Sequence, residues 1–440
     1  MKFNAPVRVI TRQFGQTLLI RILMTLVRVA RNALLARILG PADRGFFSLI
    51  CSLPEIIMTA GNCGLANASA YKVANQEQEN PKLFANINFA LLLLGGILFF
   101  ISLAWVHQDW LVKDNVDRIL AYKWHIAFAT TLFLAKNVNL SILSALNRVR
   151  SVNVFALLES SVPLVLFVML WWGFRLDALL AAVYSWLVTV VLITVLTTVR
   201  IGHGFRVSFQ LDLQKQLLGY GGRGYFDTLF MKLLLRIDYI FVSALISSEA
   251  LGYYAMATAA AELLMIVPNS LSVPLFSFLW KSGGKSKDAS VATVLRILFA
   301  GMMLLAILYG FCGKYFILFV FGKEFAPAYH PFIWLLPGMV FFSFVNPIRF
   351  TLLGNNRPGT VSLVSGGCVL LNIFCNVVLI PYWGIVGVAM ASSLSYIIGT
   401  VVLAVLYLRS TELHYYDLFF LRKEDLQLIV AVILNKNEKM

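Results

Sequence analysis

Apolar runs long enough to cross a bilayer follow one another from end to end of this chain, and that recurrence limits what it can fold into. A crossing helix needs about 20 predominantly apolar residues. Lipid offers no hydrogen bonds, so each backbone polar group must be satisfied within the structure. The composition agrees: 60% of the 440 residues are hydrophobic and 13% are charged, against about 25% charged in a soluble domain. The expected class is an all-α polytopic membrane protein with no separate soluble domain.

Length predicts about twelve spans, at 13–38, 45–72, 83–107, 119–146, 154–173, 177–199, 219–246, 251–279, 291–312, 328–353, 360–381 and 384–408. The longest connection, 203–218, alternates Val207, Leu211, Leu213, Leu217 and Leu218 with polar residues and is expected on the membrane surface. The tail after Arg409 mixes aromatic and charged residues, and its last apolar run, 426–434, is too short to span. The first span is too long and too charged for a cleavable signal and is expected to remain as an anchor. The expected organisation is a six-helix lobe at 1–203, an interfacial linker at 204–218, a second six-helix lobe at 219–410 and an interfacial or cytoplasmic tail at 411–440.

The net charge is +15. Lys and Arg concentrate about two-fold in one set of loops, those with Lys72, Lys82, Arg148, Arg200, Lys281 and Arg357. The opposite set holds Arg44, Lys113, Arg118, Arg175, Lys314 and Lys323. The positive-inside rule then places both termini in the cytoplasm, and no nucleic-acid partner is needed to explain the charge. The five cysteines form no metal-type cluster, and no cofactor is expected.

The first span breaks the apolar pattern. Arg21, Arg28 and Arg31 lie well inside it, where a central Arg costs roughly 2.5–3.5 kcal/mol. At 100° per residue Thr17, Arg21, Thr25, Arg28 and Asn32 share an arc of about 80°, with Arg31 at its edge. Such a polar stripe lines a cavity or a helix seam. Snorkelling to headgroups suits Arg37 and is an open alternative for Arg31, but it does not suit Arg21 and Arg28 together.

The chain is also duplicated. GFFSLICSLPEIIMTAGN at 45–62 aligns without a gap on GYYAMATAAAELLMIVPN at 252–269. Gly45 meets Gly252, Phe46-Phe47 meets Tyr253-Tyr254, Glu55 meets Glu262, and Asn62 meets Asn269. Six spans per copy is an even number, so both copies insert the same way up, related by an axis along the membrane normal. In parallel-repeat transporters the substrate site lies at the repeat interface.

Arg28 precedes the Gly40-Pro41 turn by about as many residues as separate that turn from Glu55, so the two are expected at similar depth. Arg236 and Asp238 stand in a comparable relation to Glu262. Each half is therefore expected to hold a cation–carboxylate pair. Lys136, Asn137, Asn139, Glu159, Asn346 and Arg349 add further intramembrane polarity. Cations outnumber carboxylates in this group. A surplus of buried positive charge invites an anionic ligand, and guanidinium forks suit phosphate.

ARILGPADRGFFSL at 36–49, LLRIDYIFVSALISSEALGYYAMATAAAELL at 234–264 and the 352–396 stretch with Gly384 and Gly387 resemble the polysaccharide biosynthesis, or O-antigen flippase, family of the multidrug/oligosaccharidyl-lipid/polysaccharide exporter superfamily. The resemblance covers nearly the whole chain. It implies a twelve-span, two-lobe flippase of the bacterial inner membrane, not an enzyme. Such a protein carries undecaprenyl-diphosphate-linked oligosaccharide to the periplasmic leaflet by alternating access. It also implies membrane lipid as a contact and glycan polymerase and chain-length regulator proteins as candidate partners. On this reading Arg21, Arg28, Arg31, Lys136, Arg236 and Arg349 bind substrate. Glu55, Asp238 and Glu262 couple transport to protons or sodium, or only pair with arginines. Two alternatives remain: an ion-coupled small-molecule exporter of the same superfamily, and a membrane glycan polymerase or ligase. The latter is disfavoured by short outer loops and five unclustered histidines.

Overall fold

The computed structural model describes residues 5–75, 81–108, 111–113, 116–202, 206–270, 285–354, 357–411 and 413–425. Within these, the side chains of 5–21, 116, 218, 220, 223, 224, 285–290, 350 and 354 lie outside the description. The Arg21 side chain and the 426–434 run therefore fall outside it. The described residues are helical throughout, joined by short turns.

The first helix, α1 (Ala5–Gly61), is broken at Gly40, whose φ of 69° is open to glycine at little penalty. Pro41 follows and has no N–H to continue the ladder. The chain folds back here, because Arg44 Nη2 donates to Asn32 Oδ1 at 3.3 Å. A second break, with Cys63 at φ 48° and Gly64 at φ 73°, separates α1 from α2 (Leu65–Asn75). The predicted 45–72 span is thus two helical pieces. Next come α3 (Pro81–Val106), α4 (Val116–Leu120), α5 (Lys123–Ala145), α6 (Val149–Val168) and α7 (Ala178–Ile201). Asp177 caps α7 by accepting from the Leu179 and Leu180 amides, a contribution of about 1 kcal/mol.

The predicted surface linker is partly absorbed into α8 (Leu211–Leu245), one continuous helix that takes in 211–218 of the predicted 204–218 linker. The extended residues before it dock on the start of α3, where Gln210 N donates to Asn86 Oδ1 at 2.7 Å. α9 (Ser248–Ala261) follows a tight turn capped by Ser247. Then come α10 (Lys285–Val320), α11 (Tyr329–Phe342) and α12 (Val345–Gly354), the last two separated by a turn at 343–344 that divides the predicted 328–353 span. α13 (Pro358–Leu408) is broken at Gly384, and α14 (Tyr416–Phe419) sits in the tail.

Eight described stretches are long and apolar enough to cross a membrane. α1 and α8 are not among them. These two carry Arg28, Arg31, Arg44, Glu55, Asp227, Lys232, Arg236 and Asp238, a polar load that only a protein-lined interior can accept.

The larger hydrophobic core runs through both halves, from Leu35–Leu53 of α1 to the buried faces of α8, α9 and α13. A second core joins the end of α1 with α2, α3, α5, α6 and α7. The two halves meet at the glycines that sequence alignment paired. A Cβ on Gly45 would collide with the Ser248 carbonyl, and a Cβ on Gly252 would collide with the Pro41 carbonyl. Pro41 and Ser248 are themselves equivalent under the same alignment. Small residues at such crossings let helix backbones approach closely.

Candidate functional site: a cationic central cavity

A cavity of about 720 Å³ is lined mostly by helices of the first half of the chain and closed on one side by α8, α9 and Glu262. Its walls follow helical periodicity. α1 contributes Arg28, Arg31, Asn32 and Leu35 before its break and Arg44, Ser48, Cys51, Glu55 and Asn62 after it. α8 contributes Tyr225, Thr228, Lys232, Arg236 and Tyr239, again at three- and four-residue steps. Lys136 and Asn137 of α5, Glu159 of α6 and Glu262 complete the charged lining, and Phe47, Phe133 and Trp186 add aromatic faces.

Six basic and three acidic described residues line this space, and their pairing is unequal. Lys136 Nζ donates to Glu159 Oε1 at 2.5 Å and lies 4.2 Å from the Phe133 ring centroid. Lys232 Nζ donates to Glu55 Oε1 at 2.5 Å. Arg236 donates to Glu262 Oε1 at 2.9 Å and stands 3.9 Å from Glu55. The expected Arg28–Glu55 pair within the first half does not form. Glu55 reaches across to α8 instead, because α8 and not the first half of α1 presents its cations at that level. All three carboxylates are thus taken by Lys136, Lys232 and Arg236.

The remaining cations are Arg28, Arg31 and Arg44. Among the described residues neither Arg28 nor Arg31 has a carboxylate within ion-pair distance, and Arg44 donates to neutral groups only, Ser48 Oγ at 2.6 Å and Asn32 Oδ1. Arg44 is buried, 7% exposed, whereas its position after the Gly40-Pro41 turn had suggested an outer loop. The fold-back places it inside. The signal was its phase: 44, 48, 51, 55, 59 and 62 share one helical face. Lys232 was also invisible as a site residue, though it lies one turn before Arg236.

Two further predicted residues sit elsewhere. Arg349 of α12 is absent from the cavity lining. Its Nε donates to Asp227 Oδ2 at 2.7 Å, and Ser365 Oγ donates to the other oxygen. Asp238 is 2% exposed and lies beside the cavity, not on it. Its carboxylate accepts from Tyr254 Oη at 2.7 Å, Asn376 Nδ2 at 2.9 Å and Ser392 Oγ, all neutral donors. Asn372 joins this cluster through Asn376 and Ser392, and Asn376 Oδ1 is buried without a hydrogen bond.

Residues 34–330 match the family described as polysaccharide biosynthesis protein. The chain belongs to that family. Among curated relatives, a probable low-salt glycan biosynthesis flippase, Agl15 of Haloferax volcanii, is 27% identical over 169 residues, covering 38% of this chain. The match spans about a third of that relative's length, 36%. Among solved structures, the lipid II flippase MurJ in an inward closed conformation superposes with a TM-score of 0.74 at 15% identity, over 97% of this chain and 93% of that one. An inward-facing multidrug resistance MATE family transporter of the MOP superfamily gives 0.70 at 13% identity, over 89% and 98%. The fold is therefore that of these multi-pass membrane transporters.

Proposed function

We propose that the protein flips undecaprenyl-diphosphate-linked oligosaccharide from the cytoplasmic to the periplasmic leaflet of the inner membrane, as a transporter and not an enzyme. One observation carries this reading. The cavity holds three cations that have no carboxylate partner among the described residues, Arg28, Arg31 and Arg44. Arg44 is buried, Arg31 is partly buried and Arg28 is exposed on the cavity wall; an uncompensated charge is unfavourable in proportion to its burial, so the site is matched to an anion. A diphosphate supplies that charge, and the glycan behind it requires a wet, polar lumen. The polyprenyl chain would remain in lipid. The curated relative's glycan biosynthesis flippase role supports the substrate class.

In this proposal twelve helices form two six-helix lobes, with both termini cytoplasmic, that rock about the central site. Arg28 and Arg31 would engage the substrate, while Lys136 and Arg236 exchange their carboxylates for it. Closure at Gly45 and Gly252 seals the end that carries the Gly40 turn, which is the periplasmic end on this orientation. Asp238 is the stronger candidate than Glu55 or Glu262 for ion coupling, because its partners are neutral and leave its charge available to a proton or a monovalent cation.

Reconstitution into liposomes tests the proposal. Wild-type protein should translocate a polyprenyl-diphosphate-linked oligosaccharide, and Arg28→Ala should lose this at least tenfold while inserting normally. Normal flipping by Arg28→Ala, or export of a cationic dye instead of the lipid-linked glycan, would defeat it. A cation-rich cavity repels cationic drugs.

A further inference from the structure

We infer that Arg31 and Arg44 together form a distinct oxyanion site at the Gly40-turn end of the cavity, and that Arg44 is a substrate-contacting residue. The inference rests on the flippase reading for its biological ligand, one phosphoryl group of the diphosphate. It rests on geometry alone for the site itself.

Arg44 is more than nine-tenths buried and lines the cavity, and its Nε has no hydrogen-bond partner. Its remaining nitrogens are held by Ser48 and Asn32, and its guanidinium lies 5.5 Å from the Phe47 ring centroid. Asn32 adjoins Arg31 in sequence, so the fold-back at Gly40 brings the two cations to the same wall of the cavity. Neither has a carboxylate partner among the described residues. Two like charges in a low-dielectric pocket repel, and an unused buried N–H is unfavourable. A tetrahedral oxyanion relieves both at once, because guanidinium forks bind phosphoryl oxygens in pairs. Arg28 lines the same cavity one helical turn farther from the Gly40 break than Arg31. Gly45, on which the two halves close, directly follows Arg44, so the site is filled next to the closing contact.

This assignment differs from a packing role in what it predicts for stability. If Arg44 were there to hold α1 together, removing its charge would lower the melting temperature in every buffer. If it is an empty anion seat, Arg44→Gln should melt at or above the wild-type temperature without anion, since an uncompensated charge is gone. The experiment is a thermal melt of the purified full chain in detergent, titrated with inorganic pyrophosphate and, separately, phosphate, at matched ionic strength in chloride. Wild type should be stabilised with saturation. Arg44→Gln should need about tenfold more pyrophosphate or worse, the loss expected for one charge-assisted contact. Arg44→Lys should recover part of the affinity. Arg349→Gln should melt lower yet keep the full response.

An undiminished response in Arg44→Gln overturns the inference. So does a response to chloride equal to that to pyrophosphate, or an anion-free melt lowered in both Arg44→Gln and Arg44→Lys. If wild type fails to flip lipid-linked glycan but keeps an Arg44-dependent pyrophosphate response, the flippase reading falls and the oxyanion site stands.

Discussion

Glu55 and Asp238 are two carboxylates within the same apolar interior that the fold surrounds with different partners. Glu55 is clamped by Lys232 and lies near Arg236, so its charge is already neutralised across the two halves. Asp238 is held by a tyrosine, a serine and an asparagine, which orient its oxygens without cancelling the charge. A buried carboxylate of that kind is unfavourable until it binds a proton or a cation. Asp238→Asn keeps the shape and most of the hydrogen bonds but removes that capacity. It should slow gradient-driven flipping about tenfold or more and abolish the dependence of the rate on an imposed proton or sodium gradient. A variant whose rate still follows the gradient would remove Asp238 from the coupling step. The same residue-level contrast separates Arg28, which has no ion pair among the described residues, from Arg349, which Asp227 holds.

At the level of elements, the tail shows how a short segment can be fixed by a few groups. Arg296 of α10 donates to both Asp425 oxygens, at 2.6 and 2.8 Å, and to the Asp417 carbonyl at 2.8 Å. Phe419 of α14 sits edge-on to Phe299, 5.3 Å between centroids, and beside Phe344 at the turn that separates α11 from α12. The Arg296 hydrogen bonds hold the Asp425 carboxyl below its usual range. Its pKa is depressed in the docked state, so its contribution is present above the ordinary carboxylate pKa and lost as pH falls through the docked value. Docking should therefore be flat from about pH 5 to 8 and weaken only in acid. Asp425→Asn should loosen it by about 1.5–3 kcal/mol, the range for hydrogen bonds to charged groups. Limited proteolysis after Arg409 reads this directly. Equal cleavage of variant and wild type at neutral pH would show that the aromatic contacts alone hold the tail.

On the scale of the whole molecule, the larger core passes through both halves, and their backbones approach closely at Gly45 and Gly252 and again at Gly64 and Gly221. Any side chain there meets backbone, which cannot rotate away. Gly45→Val should therefore disfavour closure by about 1–3 kcal/mol, enough to move a two-state equilibrium roughly 5–150-fold. With Cys63 and Cys312 replaced by serine, Cys51 on the cavity wall should then react faster with an impermeant thiol reagent added outside. An unchanged rate would mean this crossing does not seal the cavity. Much of this was legible beforehand. Apolar run length dictates helices in lipid whatever packs around them, and the duplicated 45–62 and 252–269 segments announce two related halves. The stripe of Arg28 and Arg31 marks a wet wall, because helical phase is a local property. What the residues could not state is who meets whom. Whether Glu55 pairs with Arg28 or with Lys232, whether Arg349 faces the cavity or Asp227, and whether Arg44 lies in a loop or in the interior all depend on how helices distant in sequence are rotated and set against one another. The sequence by itself determined the class, the repeat and the surplus of positive charge, since these follow from composition and local periodicity. Only the tertiary structure decided which cations are neutralised and which have no carboxylate partner among the described residues, since electrostatic pairing is fixed by distances of a few ångströms between separate helices.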